Sequence, residues 1–254
     1  MKTWAFTIVI VSVLLTSFVV VSGQQTANQE LEFSSLSLSI STTRSSFLLN
    51  EPIPITLELS NRTGNPILGH GTLRFSSNFV QIYLRTPDGT ERQVKPLSPN
   101  RIFSVGKDGL IPPGTHVKHT ELLGLDLDKH FPLAGNYQIK AVLKSRDGRQ
   151  FISTDWTTLE ISEPEGENLR VLEYLRKKTD ISRVFSAPET HDSYVVYEDF
   201  VNSFPNSQYT PFICRNLAEY YRFKGSGEKA SRYSSCVSSF IWFPELGSIT
   251  TLRN

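Results

Sequence analysis

Apolar side chains recur at alternate positions from Leu36 to about Ile161, and at every third or fourth position beyond Ser162. No single packing geometry serves both periods. Alternation sends one side chain inward and the next outward, as an extended strand does, whereas a spacing of three to four lines one side of a helix. The change falls at Glu163-Pro164-Glu165-Gly166-Glu167, an acidic stretch whose Pro and Gly interrupt either kind of element, so it reads as a linker. The expectation is a strand-built unit over 31–162 and a helical unit over 167–243.

In the first unit, Leu36, Leu38 and Ile40 alternate with Ser37, Ser39 and Ser41, a half-buried strand. Ile53, Ile55, Leu57 and Leu59 repeat the pattern after a turn at Asn50-Glu51-Pro52, and Pro54 suits a strand edge. Val80, Ile82 and Leu84 run into the turn Thr86-Pro87-Asp88-Gly89, and Val94 belongs to the returning strand. Tyr137, Ile139, Ala141 and Leu143 lead to a further strand running from Phe151 to near Ile161, a terminal hairpin. Short strands at this spacing, with no helical period between them, predict an antiparallel sandwich of about seven strands. The run Leu133-Ala134-Gly135-Asn136-Tyr137 resembles the entry to the penultimate strand of immunoglobulin-like and fibronectin-like domains. That resemblance implies an immunoglobulin-like all-β fold, with Tyr137 a tyrosine corner whose hydroxyl bonds back to the backbone.

In the second unit, Leu169, Leu172 and Leu175 form a stripe closed by Arg176-Lys177-Lys178, whose charge complements a helix C-terminus. Ser186, Pro188 and Glu189 read as a capping box opening a second helix, with Tyr194, Tyr197, Phe200 or Val201, and Phe204 on its buried side. A third helix runs from Ser207 to Lys224, ended by Gly225, and a fourth from about Glu228 to Ile241. The short turn makes these two antiparallel neighbours. Cys214 and Cys236 lie equally far from Gly225 on either side, so folding there brings them to one level and predicts a cross-helix disulfide. Leu217, Ala218, Tyr221, Gly225, Ala230 and Tyr233 resemble a tetratricopeptide unit, and Phe200 to Ser207 resembles a junction between two such units. The resemblance implies a small all-α helical-hairpin domain in which the first helix of a pair lines a groove for an extended peptide. Phe212, Arg215, Glu219 and Arg222 occupy the matching face, on a common side by helical period.

Export is indicated at the N-terminus. Lys2 precedes an apolar run from Trp4 to Val21, and Val21-Ser22-Gly23 offers small residues at a cleavage site, so residues 1–23 read as a signal peptide. Its removal takes away Lys2 and no acid, leaving 25 basic against 25 acidic residues. A neutral chain has no basic excess for neutralising phosphates, so nucleic acid is not an expected partner. No later apolar run is long enough to cross a bilayer, which leaves an uncleaved signal anchor as the one route to membrane attachment. Two cysteines in an oxidising compartment favour pairing.

Reactive constellations are wanting. His116 and His119, three apart on a strand, point to opposite faces and cannot share a metal. His70 lies between two glycines, His130 follows Asp126 and Asp128, and no Cys/His quartet for zinc exists. His191-Asp192-Ser193 holds triad residue types, but neighbours on a helix diverge too far for a relay. The nucleophile-elbow, zinc-protease and phosphate-loop patterns are missing. No catalytic residue, metal or cofactor is therefore assigned. Asn61-Arg62-Thr63 matches the glycosylation sequon, with a turn expected to expose it. The expected role is a noncatalytic, secreted or periplasmic module for protein binding or envelope assembly, with a protein or extended peptide as partner and the oligomeric state open. The alternatives are a protease inhibitor presenting the segment Pro96 to Pro113, or a hydrolase using carboxylates gathered by the fold.

Overall fold

A computed structural model describes residues 36–65, 67–68, 73, 79–94, 110–123, 127–144, 151–178, 185, 191–240 and 249–253. Residues 1–23, expected to be a signal peptide, lie outside them. Twelve strands and five helices are found among these residues. The strands are β1 (Leu36–Thr42), β2 (Ser46–Leu48), β3 (Ile53–Asn61), β4 (Ile67–Leu68), β5 (Val80–Arg85), β6 (Glu91–Val94), β7 (Leu110–Ile111), β8 (Thr115–Leu123), β9 (Gly135–Lys144), β10 (Phe151–Ser153), β11 (Thr157–Ser162) and β12 (Ile249–Arg253). The helices are α1 (Leu127–His130), α2 (Gly166–Lys178), α3 (His191–Ser203), α4 (Thr210–Phe223) and α5 (Gly227–Ser238).

The alternating residues bury as their period predicts. Ile55, Leu57, Ile82, Leu84, Ile139, Ala141, Leu143, Leu159 and Ile161 are buried, and the residues between them on β5, β9 and β11 are half-buried or exposed. Two sheets result, one in the order β1-β3-β8-β12 and one in the order β2-β11-β9-β5-β6 with β10 also on β9. A small β4-β7 ladder stands apart. Tyr137 closes its corner as the resemblance implied, donating its hydroxyl to the Leu133 carbonyl oxygen at 2.8 Å. Gly135 opens β9 with φ +151°, and a Cβ there would lie 2.9 Å from Pro87 Cγ, so both conformation and space require glycine.

The fold class departs from the expectation. The protein is mixed α/β, not an all-β antiparallel, immunoglobulin-like sandwich followed by a small all-α helical-hairpin domain. β2 runs parallel to β11, pairing Phe47 with Ile161, so the larger sheet is mixed. A short helix, α1, interrupts the strand order. After the helices the chain returns as β12 and adds an antiparallel strand to β8, Ile249 facing His119 and Leu252 facing His116. Periodicity reports which way side chains point, but it carries no information on which strand becomes the neighbour. A three-residue parallel strand and a five-residue returning strand leave almost no periodic trace.

One buried apolar cluster runs through both the strand and the helix segments, from Leu36 and Phe47 to Tyr209, Phe212 and Tyr233. Its junction lies at the β2–β3 turn. The Tyr209 hydroxyl donates to the Leu49 carbonyl oxygen at 2.9 Å. Phe185 stacks on Tyr209 at 6.0 Å and meets Phe212 edge-on at 5.8 Å. The wholly buried Glu51 carboxylate accepts from Arg44 and, at 2.8 Å, from the Leu48 amide. Arg44 lies over Phe47 at 4.6 Å and reaches Gln208 at 3.4 Å. Burial lowers its pKa to about 10, and the paired carboxylate offsets the cost of keeping the charge inside.

Helix stripes match in part. Tyr194, Tyr197, Phe200 and Val201 of α3 are buried as expected. On α2 the buried set is Val171, Leu172 and Leu175, while Leu169 is exposed. Residues 169 and 172 differ by about 60° around a helix, and α2 rolls so that the side holding Val171 faces the core. The capping-box residues Ser186, Pro188 and Glu189 lie outside the described residues.

Candidate functional site

The predicted docking face is α4. This helix starts with Pro211 in its first turn, which pre-sets the backbone and lacks a donor the first turn would leave unpaired. It ends before Gly225, whose φ of +74° turns the chain into α5. Cys214 and Cys236 are joined as expected, with 6.1 Å between their Cα atoms, so α4 and α5 are tied to each other as well as to the core.

Two of the four predicted face residues are in contact and a third is exposed nearby along the helix. Arg215 Nη2 lies 3.1 Å from Glu219 Oε1, one helical turn apart, and Arg222 is exposed on the next turn. Phe212 does not join them, because it is buried beneath Phe185. Helical period places all four on one side, but the cover over that side changes along the axis: closed over the first turn and open toward the C-terminus. The open end supplies a different aromatic, Phe223, four residues beyond Glu219 and 87% exposed. The strip is thus Arg215, Glu219, Arg222 and Phe223. Beside it the helices are bound through Glu198 of α3, whose Oε1 accepts from Tyr221 at 2.7 Å, Lys229 at 3.1 Å and Tyr233 at 3.1 Å. Desolvation pushes the Glu198 pKa up, but these donors outweigh it and hold the carboxyl below its usual range.

The histidines behave as strand geometry requires. His119 is buried, with Glu121 3.1 Å from its Nε2. His116 lies on the outer side of the smaller sheet, where its Nδ1 is 2.7 Å from Ser60 Oγ and 2.9 Å from Glu58 Oε1. These are the residue types of a hydrolytic triad, yet both partners meet the same ring nitrogen. A relay needs the hydroxyl on one nitrogen and the carboxylate on the other; here both meet Nδ1, and the contacts join strands β3 and β8. Among the described residues, no group of three or more His, Cys, Asp or Glu is placed to hold a metal ion.

The sequon is not displayed. Asn61 is 1% exposed, its Nδ2 donates to the Asn65 carbonyl at 2.9 Å, and its Oδ1 accepts from the Thr63 amide at 2.9 Å. The expected exposure at a turn gives way to a side chain folded back on its own loop. His70 and most of the Pro96 to Pro113 segment lie outside the described residues, as do the side chains of His191, Asp192 and Ser193.

A further array on the outer face of the larger sheet has no counterpart in the sequence reading. The segment expected as one strand from Phe151 is two. Phe151 to Ser153 pair with Lys144 to Val142, but Thr157 then pairs with Ile139, which leaves one residue more on this strand than on β9. This is a β-bulge. Thr154 anchors it, donating its amide to Ala141 O at 2.9 Å and accepting the Ala141 amide on Oγ1 at 3.1 Å. Strict alternation from Ile152 would send Trp156 into the core; the extra residue turns it outward. There Lys140 Nζ lies 4.6 Å from the Trp156 ring centroid and 5.7 Å from that of Tyr83, and Arg85 Cζ lies 4.2 Å from Trp156. Arg85 also pairs with Glu91 at 2.5 Å.

No protein family and no curated protein matches the sequence. Among solved structures, a β-glucosidase from Listeria innocua in complex with isofagomine is 10% identical over 51% of this chain, with a TM-score of 0.31, and the match spans 16% of that enzyme. A β-glucosidase from Erythrobacter marinus is 16% identical over 50% of this chain and 15% of its own, with a TM-score of 0.30. The sporulation control protein Spo0M from Bacillus subtilis is 13% identical over 56% of this chain and 55% of its own, with a TM-score of 0.31. At scores this low, none of the three decides the fold or the activity of this chain.

Proposed function

We propose that the chain is an exported, noncatalytic module, secreted or periplasmic, that binds a protein or extended peptide through the open end of α4 and serves in protein binding or envelope assembly. The carrying observation is Phe223, a large aromatic left 87% exposed one turn beyond the Arg215–Glu219 pair. Aromatic and arginine side chains dominate binding energy at protein interfaces, and this one has little packing to do within its own chain. The disulfide and the shared core hold α4 in place before a partner arrives, which lowers the ordering cost of association. Export is supported by the same disulfide, which persists in oxidising compartments, and by the N-terminal signal pattern. Among the described residues no helix is long and apolar enough to cross a membrane. The role does not depend on a separate helical bundle; it requires an exposed strip on a rigid body.

Affinity capture from the native extract tests the reading, with the wild type compared against Phe223→Ala and against the double variant Arg215→Ala, Glu219→Ala. The expected result is at least one partner whose retention falls tenfold or more in both. If every protein retained by the wild type is retained equally by the two variants, the α4 strip is not the docking site.

A further inference from the structure

The outer face of the larger sheet carries an aromatic and cationic side-chain array built from residues other than those of the α4 strip. Its geometry begins with the bulge between Ser153 and Thr157, which places Trp156 on the solvent side across from Lys140. Bulges recur where a side chain has to be re-aimed beside a functional site. Tyr83 stands on the far side of Lys140, opposite it in the β5–β9 register, so two aromatic rings flank one ammonium group. Two inter-strand steps separate the rings by about 10 Å, close to the length of a disaccharide unit in an extended chain.

The polar groups around them are oriented alike. Gln81 Oε1 accepts from the Tyr83 hydroxyl at 3.0 Å, and Gln138 Oε1 accepts from Arg85 Nη1 at 2.9 Å. Each glutamine therefore uses its acceptor within the face and keeps amide N–H donors for a ligand. Arg85 is neutralised by Glu91, whereas Lys140 has no carboxylate partner among the described residues. The surface offers donors, one ammonium without a carboxylate partner among the described residues and two half-buried aromatic rings that Lys140 and Arg85 approach, without the desolvated apolar centre of a protein hot spot. A sugar polymer has the matching chemistry: oxygen acceptors around the rim of each ring and C–H groups across its faces. An ammonium with no carboxylate partner among the described residues favours one that carries acid groups.

We propose that this face binds an acidic polysaccharide, with a uronate carboxylate on Lys140 and the sugar C–H faces against Trp156 and Tyr83. Titration calorimetry and affinity electrophoresis of the intact, disulfide-bonded protein test it, with polygalacturonate, alginate and hyaluronate as probes. Hydroxyethyl cellulose serves as the neutral comparison and poly-glutamate as the acidic peptide. At least one uronate polymer is expected to bind, more tightly than either comparison. Lys140→Gln weakens that binding tenfold or more, Lys140→Arg restores part of it, Trp156→Ala abolishes it, and Arg170→Ala, at an exposed position of α2, leaves it unchanged. Unaltered thermal unfolding of Lys140→Gln shows that the loss is one of contact. The proposal is overturned if no uronate polymer binds, if poly-glutamate or the neutral polymer binds equally well, or if Lys140→Gln has no effect. None of those outcomes touches the α4 reading, which rests on Phe223.

Discussion

At Glu198 one carboxylate oxygen accepts hydrogen bonds from Tyr221 of α4 and from Lys229 and Tyr233 of α5, while the residue itself belongs to α3. Three helices meet on one charge. Tyr221 and Tyr233 stack at 5.8 Å, and Lys229 lies over Tyr221 at 4.6 Å, so the donors also support one another. Because the folded pKa lies below the usual value of 4.5, the stabilisation is complete above the unfolded pKa and is lost as pH falls through the folded one. Glu198→Gln is expected to lower stability by about 1 to 2 kcal/mol at pH 7, the range for hydrogen bonds to a charged, partly exposed acceptor. The gap between variant and wild type should then close as the pH drops below 4.5. Urea unfolding at several pH values measures this, and a gap that stayed constant down to acid pH would assign the effect to packing alone.

At the scale of elements, the α4–α5 hairpin was the most legible part of the chain. Gly225 marks its turn, the 22-residue cysteine separation is symmetric about it, and the disulfide forms where that symmetry places it. Cross-linking a loop of this length removes chain entropy from the unfolded state equivalent to about 3 kcal/mol. Reduction under native conditions should therefore lower the unfolding midpoint by roughly 6 to 12 °C in a chain of this size. Calorimetry with and without dithiothreitol checks it; an unchanged midpoint would mean that core contacts such as Leu217 and Tyr233 already hold the hairpin closed. The β10–β11 strand was the least legible. Its two halves each alternate correctly, but the extra residue between them resets the parity, and no residue type at Thr154 or Asp155 announces it. The consequence is local and large: Trp156 changes faces, and the aromatic array of the outer sheet goes unread. Phe212, expected on the open face, is buried while Phe223 is exposed, since period gives the side of a helix but not where along its length that side is covered.

For the whole molecule, the change of side-chain period near Ser162 coincides with the end of β11 and the start of α2, and one buried cluster runs across it. Tyr209 bonds to Leu49, Arg44 reaches Gln208, and the chain goes back to the sheet at β12. These contacts join residues far apart in sequence, and pattern reading sees only neighbours within a turn or a strand. Their energetic consequence is testable. If the buried cluster is continuous from Phe47 to Phe212, loosening the helices exposes the β2 side of the sheet, and neither part retains enough buried apolar surface to stay folded while the other opens. Denaturant unfolding should then be a single transition. Trp156 emission, isolated in a Trp4→Phe, Trp242→Phe background, reports the sheet; far-ultraviolet ellipticity reports the helices. The two midpoints are expected to coincide, and a fragment ending at Ser162 is expected to lack a cooperative transition. Earlier loss of the helical signal, or a well-folded fragment, would show that the helices only rest on the sheet. In that case the rigidity assigned to the α4 strip would come from the disulfide alone, and reduction would abolish partner capture instead of merely lowering the temperature at which it fails.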